Sequence, residues 1–231
     1  MSPRTFVIGD IHGAHKAMLQ CFERAGFDYK KDHLIALGDV ADGWPETKQC
    51  VDELLKIKNL TYVLGNHDYW TLEWMETGVI ENVWFGQGGK ATVASYREGV
   101  PESHLVFFNK ALPYYRLADK VFVHAGITPG IPLEHQTLQV LLWDRSLCKI
   151  AVDYYHHQEE KKLTEFESVY IGHTPISGGK PLKACDLWMM DTGAGWSGVL
   201  SMMNIETEEY FTSDPVPDLY PGIEGRKKRV A

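Results

Sequence analysis

Thr5-Phe6-Val7-Ile8-Gly9-Asp10-Ile11-His12-Gly13 is a short apolar run followed by a glycine-flanked Asp-x-His turn. The apolar part predicts a short buried β-strand. A strand that ends on glycine places the next side chains at its carboxyl edge, where open α/β sheets bind ligands. The side chains of Asp10 and His12 can therefore point into one cavity.

The same arrangement of strand, glycine and polar side chain recurs twice farther along the chain. The apolar run 33–37 leads into Gly38-Asp39-Val40-Ala41-Asp42-Gly43, and the run 60–64 leads into Gly65-Asn66-His67-Asp68. Apolar residues at helical spacing predict connecting helices, the first of them over 15–25. This β-α-β-α-β order predicts a parallel sheet with right-handed crossovers, so the three strand ends converge along one edge.

Two further predicted strands end on histidine. Residues 120–123 lead into His124, and residues 168–171 lead into Gly172-His173-Thr174-Pro175. The remaining apolar runs predict an antiparallel meander that closes a second sheet. These runs cover residues 187–190, 198–205 and 209–212.

The less regular parts of the chain carry weaker signals. The glycine-rich stretch 86–90 is predicted to be a flexible loop, and residues 102–112 are predicted to be helical. The length suits a single domain, which we place at residues 1–213. Residues 214–231 are rich in Pro and Gly and then basic, so they are expected to form a loose tail.

Composition limits the classes of partner and location. The formal net charge is -8, and four of the basic residues stand together at 226–229, so the rest of the chain is more acidic than this total. An acidic body argues against a nucleic-acid polymer as partner. No apolar run approaches the roughly 20 residues that span a bilayer, and no signal peptide is recognisable. The four cysteines are scattered without a CxxC pair, which is typical of reduced thiols in a cytoplasmic protein.

The five predicted strand ends carry seven side chains that can bind metal ions. Mixed imidazole, carboxylate and amide ligands favour Mn, Fe, Zn, Ni or Co over Ca or Mg. Seven groups exceed the needs of one ion but suit two ions that share a carboxylate, an arrangement that can clamp a phosphoryl group. The seven are Asp10, His12, Asp39, Asn66, His67, His124 and His173.

In this order the motifs resemble those of the calcineurin-like metallophosphoesterases, and within them the phosphoprotein-phosphatase branch with its compact phage and bacterial members. The resemblance extends over residues 5 to about 200, and it implies a four-layer α/β/β/α fold with a dimetal centre between two mixed sheets. The motifs that carry it are Gly9-Asp10-Ile11-His12-Gly13, Gly38-Asp39-Val40-Ala41-Asp42-Gly43, Gly65-Asn66-His67-Asp68, His124-Ala125-Gly126 and Gly172-His173-Thr174-Pro175.

The same resemblance implies roles for single residues. Asp39 would bridge two divalent ions, with manganese the first expectation. The other ligands would be Asp10 and His12 at the first ion, and Asn66, His124 and His173 at the second. A hydroxide bridging the metals would attack phosphorus in line, His67 would protonate the leaving oxygen, and Asp42 would pair with His67 and favour its imidazolium.

The phosphate-binding residues depart from the pattern of the branch. Trp143-Asp144-Arg145 resembles the segment with a phosphate-gripping arginine, which makes Arg145 a candidate. The branch usually carries a second arginine directly after the aspartate that matches Asp42, but this chain has Gly43 there. Lys90 or Arg97 would have to supply that charge, or the grip on phosphate is weaker.

Three functions remain open from the sequence. The first is a metal-dependent serine/threonine protein phosphatase-like phosphoesterase, acting on a phosphoprotein or a small phosphate ester. The second is a symmetric diadenosine-tetraphosphate hydrolase, which residues 124–129 and 191–196 resemble, although the chain is short for it. The third is a catalytically silent metal-binding interaction protein, which the intact ligands and the Asp42–His67 pair disfavour. No membrane partner is expected, and the oligomeric state is left open.

Overall fold

The computed structural model describes residues 3–226 of the chain. This part of the chain contains ten β-strands. They are β1 (Thr5–Ile8), β2 (His33–Ala36), β3 (Asn59–Tyr62), β4 (Tyr114–Leu117), β5 (Lys120–Val123), β6 (Ser168–Ile171), β7 (Leu182–Ala184), β8 (Leu187–Met189), β9 (Ser201–Asn204) and β10 (Tyr210–Thr212).

The helices of the described residues lie mostly between strands. They are α1 (His15–Ala25), α2 (Thr47–Leu54), α3 (Asn66–Thr77), α4 (Asn82–Trp84), α5 (Lys90–Ser95), α6 (Glu102–Asn109), α7 (Leu138–Trp143), α8 (Ser146–His156) and α9 (Val216–Leu219). The segment Phe85–Gly89 joins α4 to α5 through a kink at Gly88, whose φ angle is +124°, and a 3-10 turn covers Leu133–His135. None of these helices is long and apolar enough to cross a bilayer.

The first sheet contains the three glycine-ended strands predicted from the sequence. Its strand order is β10-β9-β1-β2-β3. Strands β1, β2 and β3 are parallel, with Thr5 opposite His33 and His33 opposite Asn59. Their carboxyl ends therefore lie side by side at one edge of the sheet, as the repeated pattern predicted.

The second sheet brings the two histidine-ended strands together. Its order is β4-β5-β6-β8-β7, and β5 runs parallel to β6 with Lys120 opposite Ser168. Strand β8 is also parallel to β6, while β4 and β7 pair antiparallel at the two sides. The sequence analysis did not identify β4 or β7.

The predicted antiparallel meander in the second sheet is wrong. Strand β8 belongs to that sheet but runs parallel to β6, whereas β9 pairs antiparallel with β1 in the first sheet, with Phe6 opposite Asn204. Strand β10 then pairs with β9. The physical reason is burial on both faces of β9, because Met202 packs toward the helices and Met203 packs between the sheets.

Three apolar clusters confirm the four-layer α/β/β/α fold. Phe6 and Ile8 of β1 pack against α1 and α2, whereas Val7 points the other way, as the alternation of a strand requires. The cluster that holds Val7 also contains Phe122 and Tyr170 of the second sheet, whose rings stack with centroids 4.7 Å apart. A third cluster lies between the second sheet and the helices α7 and α8.

The segment 86–90 differs from the predicted flexible loop. Gly86 to Gly89 form the kinked connection between α4 and α5, and Lys90 begins α5. Trp84 is almost fully buried and packs against Gly89. The glycine-rich composition suggested a mobile segment, but the contact between Gly89 and the buried Trp84 ring fixes its conformation.

The segment 214–226 differs from the expected loose tail. Val216 and Tyr220 are buried, and the Tyr220 ring stacks on the Trp44 indole with centroids 5.2 Å apart. The Tyr220 hydroxyl also donates a hydrogen bond to the carboxylate of Glu46. These aromatic and polar contacts hold a segment whose Pro and Gly content suggested no structure. The rest of the predicted tail, 227–231, lies outside the described residues.

Candidate metal centre

The two sheets place five of the predicted metal ligands in two adjoining groups that share Asp39. Ligand atoms of Asp10, His12 and Asp39 lie within 4.8 Å of one another, and so do those of Asp39, His124 and His173. All five residues are buried. The carboxyl ends of strands from both sheets face each other here, which is why residues distant in sequence converge.

Asp39 belongs to both groups through one oxygen atom. Its Oδ2 lies 3.7 Å from Nε2 of His12 and 3.4 Å from Nε2 of His124. Its Oδ1 accepts a hydrogen bond of 2.8 Å from the backbone N–H of His67. This geometry suits a carboxylate shared by two cations.

Hydrogen bonds set the orientation of two of the imidazole rings. Nδ1 of His12 lies 2.9 Å from the carbonyl oxygen of Ala41, and Nδ1 of His124 lies 2.8 Å from that of Leu37. A carbonyl oxygen only accepts, so Nδ1 carries the hydrogen in both rings. With Nδ1 bonded in this way, Nε2 is the atom that offers a lone pair to a cation when the ring is neutral, the pattern that commonly orients histidine ligands.

Asn66 joins the second group through its amide oxygen. Its Oδ1 lies 3.0 Å from Nε2 of His124 and 2.8 Å from Nδ1 of His173. Asn66 is the first residue of α3, directly after the turn that follows β3. The three side chains form one cluster of ligand atoms from three different strand ends.

Asp10 is placed by a glycine in the opposite sheet. Its carboxylate accepts a hydrogen bond of 2.9 Å from the backbone N–H of His173. A Cβ atom at Gly172 would lie 2.0 Å from Oδ1 of Asp10, so only glycine allows this approach. Asp191, which follows β8, is also buried, and its Oδ2 has no hydrogen-bond partner among the described residues.

The electrostatics of the cluster indicate that cations belong there. Burial raises the pKa of Asp10 well above its usual range, and the nearby carboxyl of Asp191 raises it further. Burial also raises the pKa of Asp191 to about 6. Burial opposes ionisation of Asp39 too, but the imidazoles around it, His124 foremost, hold its pKa well below the usual value. Several buried carboxyl groups close together, one of them with an unpaired oxygen, beside imidazoles that can each offer a ring nitrogen, fit divalent transition-metal ions.

Four of the eight described non-glycine residues with a positive φ angle lie in or beside this cluster. His12, Asp39, Asp42 and His173 have positive φ angles of 51°, 52°, 72° and 61°. Such conformations cost side-chain-bearing residues about 1–3 kcal/mol each and persist where the surrounding structure enforces them. Strain gathered at one cluster of polar side chains is typical of a functional site.

His67 and Asp42 form a tight buried pair beside the two groups. Nδ1 of His67 lies 2.6 Å from Oδ2 of Asp42. Burial raises the pKa of Asp42 to about 8 and lowers the pKa of His67 to about 3. At neutral pH the pair therefore retains one proton between these two atoms, and these pKa values place it on Asp42, so the expected imidazolium of His67 is wrong for this buried pair. Whichever atom holds it, Nε2 on the other side of the His67 ring carries a hydrogen that it can donate.

Two residues that the sequence analysis missed hold Asp42 in place. Thr92 donates a hydrogen bond of 2.7 Å to Oδ1, and the Trp84 indole N–H donates one of 2.7 Å to Oδ2. Thr92 also accepts a hydrogen bond from the backbone N–H of Asp42. Both lie in the irregular middle region, where no motif marks them.

Asp68 is a third missed residue, although it lies within the third glycine motif. Its buried carboxylate accepts hydrogen bonds from the Tyr62 hydroxyl and from four backbone N–H groups. Three of these groups belong to residues 39–41, and the fourth belongs to Gly65. Asp68 therefore fixes the loop that positions Asp39.

The predicted phosphate-binding residues have different positions. Arg145 is close to the cluster, with its Nε 3.1 Å from Nε2 of His173. Lys90 is exposed at the start of α5 and is not among the residues that line the cavity over the cluster. That cavity has a volume of about 320 Å³, and its wall includes His67, Arg145 and Arg226, which the sequence analysis placed in the tail and did not name as a phosphate-binding candidate.

Comparison with known proteins gives the chain relatives of two kinds. The calcineurin-like phosphoesterase family model matches residues 3–181. Serine/threonine-protein phosphatase 1 of Salmonella typhimurium is 24% identical over 210 residues, covering 87% of this chain and 91% of the relative. The symmetrical bis(5'-nucleosyl)-tetraphosphatase of Pseudomonas fluorescens is 24% identical over 288 residues, covering 94% of this chain and 98% of the relative.

A solved structure shows the same fold at lower sequence identity. A serine/threonine phosphatase from Saccharomyces cerevisiae superposes with a TM-score of 0.63 at 14% identity. The match covers 97% of this chain and 83% of the solved chain. At this identity the likeness extends to the fold alone.

Proposed function

The chain belongs to the calcineurin-like phosphoesterase family and is a metal-dependent phosphoesterase, and we propose that it removes phosphate from phosphoproteins, as a serine/threonine phosphatase does. The observation that carries the proposal is the tight Asp42–His67 pair beside two adjoining groups of metal ligands. A proton donor next to a divalent-metal cluster is what cleavage of a phosphate ester requires.

The residues proposed to hold the metals are those of the two groups. Asp39 contributes to both, which suits a pair of divalent transition-metal ions. When bound, such ions polarise a phosphoryl group and lower the pKa of water. Manganese is the first proposal for the metal. The mixed donor set also suits iron, zinc, nickel and cobalt.

The protein side chains supply the remaining parts of the reaction. The lone pairs of His12 and His124 are directed by hydrogen bonds to backbone carbonyls, so these ligands need no rearrangement. His67, held by Asp42, donates a proton from Nε2 to the leaving oxygen, which becomes the hydroxyl of serine or threonine. Arg145 reaches the rim of the same cavity and can bind phosphate oxygens with parallel N–H groups.

A cytoplasmic location is part of the proposal. The four cysteines are free thiols, and Cys21, Cys50 and Cys148 are buried. Thiols that persist without disulfides are typical of reducing compartments.

A second candidate is symmetric hydrolysis of a dinucleoside tetraphosphate. The relative from Pseudomonas fluorescens carries that name and aligns over almost its full length. A groove with a volume of about 900 Å³ adjoins the site, with Arg145, Trp196 and Arg226 among its lining residues. A groove of this size can take a nucleoside beyond the phosphate that is cleaved.

A substrate panel distinguishes the two candidates. Manganese-loaded protein is assayed with a phosphoserine peptide, a phosphothreonine peptide, a dinucleoside tetraphosphate, an aryl phosphate and a phosphodiester. The proposal expects the phosphopeptides to have the highest kcat/KM. A tetraphosphate kcat/KM more than tenfold above that of either peptide would support the second candidate, and no turnover of any substrate would contradict both.

A further inference from the structure

Arg226, the last described residue of the C-terminal segment, lies beside the candidate metal centre. After the Tyr220 ring stacks on Trp44, the backbone N–H of Arg226 donates a hydrogen bond of 2.8 Å to the carbonyl oxygen of Gly195. Gly225 packs against the Trp44 ring so closely that a Cβ atom on Gly225 would lie 2.8 Å from a ring carbon. The segment is therefore anchored on both sides of its last turn.

The guanidinium of Arg226 is held in one place. Its Nε donates a hydrogen bond of 3.0 Å to the carbonyl oxygen of Gln87, and the group lies 4.4 Å from the centre of the Trp196 ring. Its Nη1 lies 3.1 Å from Nε2 of His12. A guanidinium has five N–H donors, so these two hydrogen bonds leave donors for a further acceptor.

The space for this side chain comes from the glycine that follows Asp42. A Cβ atom at Gly43 would lie 3.0 Å from Cγ of Arg226, and the φ angle of Gly43 is +100°. A residue with a side chain is strained at that φ angle. The loop after Asp42 therefore has no place for an arginine of its own, and Arg226 fills the volume beside it.

Arg145 and Arg226 occupy opposite parts of the cavity wall. Arg145 lies against His173 of the second ligand group, while Arg226 lies against His12 of the first group. Both line the cavity of about 320 Å³ that also contains His67. Two guanidinium groups facing one cavity are a strong arrangement for a doubly charged oxyanion.

We propose that Arg226 is the second phosphate-binding residue of this site and acts together with Arg145. The proposal rests on the proposed function, because it assigns the group that binds the phosphate of the ester. Neither Lys90 nor Arg97, which the sequence suggested for this charge, lines the cavity. The C-terminal segment is thus part of the substrate site.

The contact with His12 explains how Arg226 becomes available. Nε2 of His12 has one lone pair, and a cation held there would leave Nη1 of Arg226 without this acceptor. The bond from Nε to Gln87 and the contact with Trp196 do not involve that lone pair. Nη1 can then turn to a phosphate oxygen while the rest of the side chain stays in place.

Direct binding of inorganic phosphate tests the proposal. Isothermal titration calorimetry on manganese-loaded protein compares the wild type with Arg226→Ala, Arg226→Lys and the surface control Arg97→Ala. Losing a hydrogen bond to a charged group costs about 1.5–3 kcal/mol, so Arg226→Ala is expected to weaken phosphate binding about 10- to 150-fold. Arg226→Lys should recover part of the affinity, since it keeps the charge but not the fork. Arg97→Ala should stay within about twofold of the wild type.

Two further readouts separate the possible failures. The metal content and melting temperature of each variant show whether the metal centre and the fold are intact. In Arg226→Ala, the KM for the ester should rise together with the phosphate dissociation constant. Unchanged phosphate affinity in Arg226→Ala, with or without a change in metal affinity, would overturn the proposal. If the wild type binds phosphate through Arg226 but hydrolyses no ester, the proposed function fails while this binding role stands.

Discussion

Nδ1 of His67 lies 2.6 Å from Oδ2 of Asp42; Asp42 follows β2, and His67 lies in the first turn of α3 after the neighbouring parallel strand β3. Asp42 is fixed by Thr92 and Trp84, so the imidazole of His67 has one orientation. The backbone N–H of His67 also donates to the shared ligand Asp39. The proton donor and the metal ligands are thus parts of one hydrogen-bonded structure.

Replacing His67 tests its role as the proton donor. His67→Asn should lower kcat by about 10²- to 10⁴-fold, the usual contribution of general acid catalysis, because asparagine cannot transfer a proton. Metal content should stay that of the wild type. The exposed His135→Asn is the control and should leave kcat unchanged. Full turnover by His67→Asn would show that another group protonates the leaving oxygen.

Replacing Asp39 tests whether one carboxylate serves both ions. Asp39→Asn keeps the shape of the side chain but removes the charge that lies near both His12 and His124. We expect loss of both metal ions and of activity, measured by elemental analysis and by turnover after reloading. Retention of two ions at wild-type affinity would contradict the shared role.

Replacing Asp68 tests its role in positioning the loop of Asp39. Asp68→Asn places an amide group against several N–H donors, which should lower the free energy of unfolding by about 3 kcal/mol. For a chain of this size that corresponds to a fall of roughly 6–12 °C in Tm. Asp119→Asn on the surface, 3.7 Å from Arg116, is the matched control and should shift Tm little. If the Asp68→Asn protein has wild-type stability and normal metal affinity, Asp68 does not position the loop of Asp39.

The cysteines provide a test of the core that depends on pH. Burial raises the pKa of Cys21 to about 12, so its thiol stays protonated and unreactive at pH 8 to 9. A raised pKa in the folded state also means that stability falls as pH rises above the unfolded value of 9.0. Labelling with a maleimide at pH 8 should modify the partly exposed Cys185 first and Cys21 only after unfolding. Equal labelling rates at Cys21 and Cys185 would contradict the packing around α1.

The strand ends of the site could be predicted from sequence because their signals are local. Each apolar run is followed by glycine and then by a polar side chain, and the structure places Asp10, Asp39 and Asn66 at neighbouring strand ends. Helix α1 was likewise predictable, since Gly26 ends it with a φ angle of +55°. In such segments the residue pattern and the tertiary structure require the same conformation.

The parts that sequence could not predict depend on contacts between distant residues. An apolar run such as β9 does not show which sheet it joins, because burial on both faces fits either one. Arg226 lies 214 residues from His12 along the chain, in a segment whose composition indicates no structure. Thr92 and Trp84 reach Asp42 only because the turn Phe85–Gly89 packs beside it. None of these pairings has a local signal.

The most direct test of the dimetal assignment is the metal content of the wild-type protein in parallel with its activity. Protein stripped with a chelator, reloaded with manganese and freed of excess ions is analysed for metal per chain and for phosphopeptide hydrolysis. We expect two ions per chain, and turnover that is absent from the stripped protein and returns on reloading. Full turnover in the stripped protein, with less than one ion per chain, would contradict it.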